Sequence, residues 1–429
     1  MKKRTKTKLV IATDVRFWHA STGAERRIQS IVNYLSEQQM QVIVLFIGAL
    51  DDPNRHYPLS QQRQIIAEQG LDVRSLLEDW HPTGWLSRLV WKSKCIANWL
   101  FQKISSRPPE HQNQPDNKTK YLQNFACPLW TERFQSMVDR IEPAAVIIEY
   151  VTLGYLVPKT NRGSRPHYLV DTHDLLSERH RQFQLHNFDH WIRITPEEET
   201  EVLQKFDTVI AIQNEEQATF QKMVQSEAKV IVAGYPTHVE DPISLKKTLS
   251  AEYTLGYFGS DNPSNTQAIT WFLQQVWPKL VASHPQATML IAGTVCNSLQ
   301  TATATANVNF QHQVEDIKSL YEKFRIAINP VQFGTGLKIK NQEALAFGKP
   351  LIVSRQGAAG MHLPVGAAPF IVADGAEAML QAILRWVTDE TALATAAQAA
   401  TPYVDEYLTP DHVYAELNQC LQALPVTNS

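Results

Sequence analysis

NPVQFGTGLKIKNQEALAFGKPLIVSRQGAAG, residues Asn329 to Gly360, carries the most informative order of signals in the chain. The apolar run Arg325 to Asn329 breaks at Pro330 into a loop containing Gly334 and Gly336. A helical segment follows, closed by Gly348 at its C-terminal cap and by Pro350 just beyond, and Leu351 to Ser354 reads as the next strand. The two loop glycines let the backbone approach a ligand closely, and free N–H groups where the following helix starts favour phosphate oxygens. Lys338 and Lys340 add positive charge beside that anion site. Glu343 stands three positions after Lys340, on nearly the same helical face, where a carboxylate accepts hydrogen bonds from the two neighbouring hydroxyls of a ribose. A diphosphate site next to a diol site describes a nucleotide sugar.

Strand and helix alternate on both sides of this stretch. Upstream, Lys8 to Thr13 reads as a buried parallel strand; Ile28, Ile31, Val32 and Leu35 recur at helical spacing; and Val42 to Ile47 is the next apolar run. Further runs at Ala144 to Ile148, Tyr168 to Val170, Thr208 to Ile212 and Lys229 to Val232 extend one doubly wound α/β sheet. A polar stretch leads to a restart at Thr254 to Phe258, followed by strands at Thr288 to Ala292 and Arg325 to Asn329. The expected layout is a Rossmann-like lobe over 1–236 with an insertion at about 51–130, a linker over 237–252, and a second Rossmann-like lobe over 253–429 ending in a helical tail. At 429 residues the chain is long enough for two such cores.

Composition serves mainly to exclude. Forty basic residues against 43 acidic ones leave a formal charge of -3, without the polycationic character that nucleic-acid binding needs. Cys95, Cys127, Cys296 and Cys420 are scattered and form no CxxC pair, so neither a zinc knuckle nor a disulfide framework is expected, and a reducing cytoplasm fits. The apolar run behind the basic start, Leu9 to Ala12, is too short for a signal-peptide core, and no segment offers about 18 uninterrupted apolar residues for a spanning helix.

GTGLKIKNQEALAFGKPLIVS resembles the donor-binding signature of the group 1 (GT4-like) glycosyltransferases, and FQHQVEDIKSLYEKFRIAINP, Phe310 to Pro330, is similar to the segment preceding it in that family. In the first lobe, DVRFWHASTGAERRIQSIVNYL resembles the family's Gly loop and first helix. YLVDTHDLLSER, Tyr168 to Arg179, and FDTVIAIQNEEQ, Phe206 to Gln217, are similar to segments after its inner strands. The resemblance covers most of the chain outside about 51–135. It implies a GT-B fold with two lobes facing a cleft, and retention of anomeric configuration. Glu343 would be the ribose glutamate, Gly23 would face the donor diphosphate across the cleft, and His173 would lie near the donor sugar, with Asp174 beside it. The sequence departs from the family at two places. Thr335 stands where a second glutamate often lies close to the transferred sugar, and GSDNPSN, Gly259 to Asn265, lacks the Arg or Lys often found there, which shifts the anion charge onto Lys338 and Lys340.

Several readings stay open. His173 follows a strand and is flanked by acids, so a structural hydrogen bond to Asp171 or Asp174 competes with an active-site contact. No Asp-x-Asp element follows a strand; Asp171, His173 and Asp174 come nearest, so no metal or cofactor is expected, and lysine charge and helix N-termini take that role. Trp80 to Lys103 interleaves aromatic and basic residues, reading either as helices packed on their own lobe or as a surface meeting an anionic membrane and a lipid-linked acceptor. The functional expectation is transfer of a sugar from a nucleotide sugar to a hydroxyl of a glycan, glycolipid or small molecule. The alternatives are a nucleotide-sugar epimerase, or a non-catalytic scaffold marked by Thr335.

Overall fold

The computed structural model describes residues 6–50, 58–76, 120–158, 165–237, 239, 241–299, 306–364 and 366–424. Trp80 to Lys103 lies outside them. The first lobe is built on β1 (Lys8–Thr13), β2 (Gln41–Phe46), β3 (Val73–Ser75), β5 (Ala145–Glu149), β6 (His167–Asp171), β8 (Thr208–Ala211) and β9 (Lys229–Val232), with β4 (Lys120–Tyr121) and β7 (Ile192–Arg193) forming a small ladder beside it. These strands form a seven-stranded sheet in the order β3-β2-β1-β5-β6-β8-β9, every pair parallel. The second lobe holds β10 (Tyr253–Phe258), β11 (Met289–Ala292), β12 (Val308–Gln311), β13 (Phe324–Asn329), β14 (Leu351–Val353) and β15 (Phe370–Val372), ordered β12-β11-β10-β13-β14-β15 and again parallel.

Side-chain alternation explains why these runs are apolar on both faces. In β1, Val10 and Ala12 enter one core while Leu9 and Ile11 enter the core on the opposite face. In β11, Met289 and Ile291 point one way and Leu290 and Ala292 the other. A sheet covered by helices on both sides needs that pattern. Strand order reverses at β1/β5 in the first sheet and at β10/β13 in the second, and such switch points open a crevice at the strands' carboxyl ends.

Three parts of the expected layout change. The insertion starts later than 51, because the helix Leu59–Glu68 and β3 belong to the first lobe, with Val73 paired to Val44 of β2. A three-residue strand is too short to leave an alternating signal. The linker carries a helix, Leu245–Leu249, capped by Ser244, and Ile243 is buried in the second lobe's core. The tail returns to the first lobe. In the helix Ala415–Gln422, Leu417, Cys420 and Leu421 join the core containing Leu9 and Ile28. Tyr414, just before it, lies against Tyr34 with ring centroids 4.8 Å apart, and its hydroxyl meets Ser30 Oγ at 2.9 Å. Among the described residues, no helix is long and apolar enough to cross a membrane.

Candidate active-site cleft

The two switch points face each other across a cleft of about 570 Å³, and its lining includes all nine residues singled out from the sequence: Gly23, His173, Asp174, Gly334, Thr335, Gly336, Lys338, Lys340 and Glu343. On the second-lobe side, β13 runs through Pro330 into a loop whose Gly334 and Gly336 adopt φ of 107° and 73°, a region that disfavours residues with a Cβ. Lys338 occupies the N-cap position of the helix Ile339–Ala346. Its Nζ donates to the carbonyls of Thr335 and Gly336 at 3.0 and 2.8 Å, closing the loop on itself. Lys340 Nζ donates to Asn265 Oδ1 at 2.7 Å and to the Tyr257 hydroxyl at 3.1 Å. The lysine therefore delivers its charge to the same GSDNPSN turn that has no basic residue of its own. Among the described residues neither ammonium has a carboxylate as a hydrogen-bond partner, and burial pulls Lys338 down to about 8 and Lys340 to about 7.

The N–H groups of the two loop glycines reach across the cleft. The Gly334 N–H donates to Gln182 Oε1 at 2.6 Å, and the Gly336 N–H donates to Glu216 Oε1 at 2.9 Å. Gln182 and Glu216 belong to the first lobe, so these N–H groups hold the lobes together and are not left for phosphate. Burial lifts Glu216 to about 8. Phe333, one residue earlier, stacks on His186 at 4.2 Å and on Phe188 at 5.7 Å, both from the first lobe. Glu343 is also engaged across the cleft. Arg26 donates to its Oε1, while Oε2 is buried without a hydrogen-bond partner.

The first-lobe wall begins at the helix Gly23–Glu37, started by a capping box between Thr22 and Glu25, a device worth about 1 kcal/mol. That cap makes Gly23 the first helical residue, where a Cβ would come 3.2 Å from the Ile339 side chain of the second lobe. Arg27, one position after Arg26, is buried and donates to both Asp171 oxygens at 2.8 and 2.6 Å.

His173 sits just past β6 at φ 59°, stacked on Tyr150 at 4.0 Å with 10° between the rings. Tyr150, just past β5, has φ 67°. Two non-glycine residues in this region cost about 1 to 3 kcal/mol each, a cost usually found at functional sites. His173 Nε2 meets Glu149 Oε2 at 2.6 Å and stands 3.7 Å from Asp171. Its hydrogen-bond partner is thus Glu149, in place of the expected Asp171 or Asp174. Burial and then the Asp171 charge push the Glu149 carboxyl up to about 7. Asp174 turns away from this group and spans the lobes, accepting from Arg179 Nη1 at 2.8 Å and from the Thr335 hydroxyl at 3.0 Å.

Glu149, Asp171 and His173 bring ligand-type atoms within 4.8 Å of one another. Arg27 takes both Asp171 oxygens, and the guanidinium stands where a cation would compete for them. Sequence reasoning missed Arg26, Glu149, Tyr150, Gln182 and Glu216. Only Arg26 left a signal: GAERR places two arginines in the first turns of a helix, against its dipole, which suggests a partner from elsewhere.

Comparison with known proteins bears on the fold and the family. Residues 252–389 match the family model of glycosyl transferases group 1. An uncharacterized 44.6 kDa protein of the cps region of Klebsiella pneumoniae is 28% identical over 92 residues, 19% of this chain; the chain spans 24% of the length of that curated relative. Among solved structures, sucrose-phosphate synthase from Thermosynechococcus elongatus superimposes with a TM-score of 0.66 at 14% identity, covering 97% of this chain and 98% of that one. Anabaena HepE in complex with UDP and glucose gives 0.60 at 14%, over 97% and 100%. A Staphylococcus aureus TarM mutant in complex with Fondaparinux, alpha-GlcNAc-glycerol and UDP gives 0.65 at 10%, over 97% and 100%. The fold is GT-B, and residues 252–389 of its second lobe are similar to the group 1 glycosyltransferases.

Proposed function

We propose that this chain, whose residues 252–389 match the family model of group 1 glycosyl transferases, transfers a sugar from a nucleotide-diphosphate sugar to an acceptor hydroxyl without a metal ion. One observation carries the reading: two half-buried lysines, with no carboxylate hydrogen-bond partner among the described residues, and one half-satisfied glutamate line the same wall of an interlobe cleft. Lys338 and Lys340 meet the diphosphate, and Glu343 Oε2 takes a ribose hydroxyl. The bond from the sugar's anomeric carbon to the diphosphate breaks, the acceptor oxygen bonds to that carbon, and the acceptor's hydroxyl proton passes to the departing phosphate oxygen. The charge left on the nucleotide diphosphate is met by the two ammonium groups in a site shielded from water. His173, fixed by Glu149 and Tyr150, and Asp174, fixed by Arg179 and Thr335, flank the sugar. The likeness to group 1 enzymes supports retention of configuration.

Incubation with UDP-, GDP- and ADP-sugars, with and without EDTA, tests the reaction. Sugar transfer that needs an acceptor and survives EDTA is expected, with the anomer read by NMR. Donor consumption without acceptor points to an epimerase or hydrolase. A second reading, a binding scaffold, draws on Thr335, whose hydroxyl is committed to Asp174; nucleotide binding with no turnover of any donor would support it.

Nucleotide binding should depend on pH. Burial holds Lys340 near 7 and Lys338 near 8, so at pH 8.5 both are largely neutral, and a diphosphate must draw protons onto them. Affinity is fully present below about pH 7 and falls as pH rises through 7 to 8, with net proton uptake. Calorimetry in buffers of different ionisation enthalpy measures that uptake; none at pH 8 would remove the lysines from the site. Glu343→Ala should weaken nucleotide binding by about 1.5 to 3 kcal/mol, the range for hydrogen bonds to a charged group. A folded variant with unchanged affinity would place the ribose elsewhere.

A further inference from the structure

We propose that the acceptor is a saccharide that docks at the mouth of the first lobe, one ring lying on the exposed indole of Trp191 and one hydroxyl donating to the carboxylate of Asp14. The inference deepens the transferase reading and rests on it.

Strand register gathers the parts. Ala12 pairs with Ile148 and Glu149 with Asp171, so the residues just past β1, β5 and β6, namely Asp14, Tyr150 and His173, come together at one edge. Asp14 is exposed. Among the described residues its carboxylate pairs with no other side chain; its own backbone N–H donates to it, and Lys120 and His173 lie within electrostatic reach. An acceptor-only group with lone pairs to spare, within electrostatic reach of His173, suits an incoming hydroxyl.

Tyr150 stacks on His173 with one face and meets Trp191 edge to face at 6.4 Å, so the indole stands one ring beyond the cleft wall. Trp191 is 44% exposed. It is nevertheless held in place: Phe125 lies 6.1 Å away, His190 5.5 Å away, and its carbonyl accepts from the Lys120 N–H at 3.0 Å. A rigid aromatic face open to water beside a cleft is a ready platform for the C–H face of a pyranose, at little ordering cost. Tyr121, 42% exposed, continues the strip with the Arg193 guanidinium 5.7 Å over its ring. Lys120 and Arg193 on the rim favour a saccharide bearing carboxylates.

The test is calorimetric titration of the full chain, in the presence of UDP, GDP or ADP, with maltotetraose and with tetragalacturonate. Wild-type protein should bind the acidic saccharide more tightly at low salt, Trp191→Ala should weaken it about tenfold, Trp191→Phe should recover most of the loss, and Asp14→Asn should weaken it several-fold. Equal affinity in wild type and Trp191→Ala overturns the platform. So does the absence of binding of either saccharide up to about 10 mM. Nucleotide affinity, read in the same samples, tells the two readings apart. Lost saccharide binding with nucleotide binding retained sinks only the platform, whereas wild-type protein that binds no nucleotide sinks the donor site and the platform with it.

Discussion

Lys340→Ala is expected to lower kcat/KM by about 10² to 10³-fold, the cost of removing one preorganised charge aimed at a leaving group. The lysine is half-buried, donates among the described residues only to Asn265 and to the Tyr257 hydroxyl, and lies 4.6 Å over the Tyr257 ring. None of those partners neutralises it. Holding an ammonium there costs desolvation, visible in its lowered proton affinity, and that cost is recovered only when an anion arrives. The substitution should therefore leave the melting temperature unchanged or raise it while activity falls. Steady-state kinetics and a thermal melt on one preparation check both halves. Full activity in Lys340→Ala would transfer the charge role to Lys338 alone.

Gly336→Ala should cost about 100-fold in kcat by drawing the second-lobe loop away from the first lobe. At φ 73°, alanine in place of glycine costs about 1 to 2 kcal/mol. The new Cβ would also overlap Asp174 Oδ1 and come 3.2 Å from the His173 carbonyl. A side chain can turn aside, but a backbone carbonyl cannot. Relief requires withdrawing the loop, which breaks the Gly336 N–H bond to Glu216 and the Thr335 bond to Asp174. Small-angle scattering should report a larger radius of gyration for the variant, and an unchanged radius with unchanged kcat would show that the loop contact is dispensable.

The sheets were legible wherever burial on both faces leaves an unbroken apolar run. Lys8–Thr13 is bounded to the residue, and Thr254 to Phe258 to within one. β3, β12 and β15 were not foreseen: they are three or four residues long and partly exposed, so no periodicity builds up. AELNQCLQ reads as a helix, yet nothing in its pattern says which lobe its Leu417 and Leu421 will meet.

The cleft residues were found because residue type, spacing and the family likeness pointed to the same ligand. What escaped were partners fixed by folding over long separations. Gln182 meets Gly334 across 152 residues and Arg26 meets Glu343 across 317. Such contacts make the glycine loop part of the seam between lobes, and no local pattern encodes them.

Calorimetric titration of the purified chain with UDP, GDP and ADP and their common sugar conjugates, with and without EDTA, tests the donor site most directly. One nucleotide series should bind, with affinity untouched by EDTA and reduced in Glu343→Ala. No binding across the whole panel, or binding that EDTA abolishes, would contradict the account.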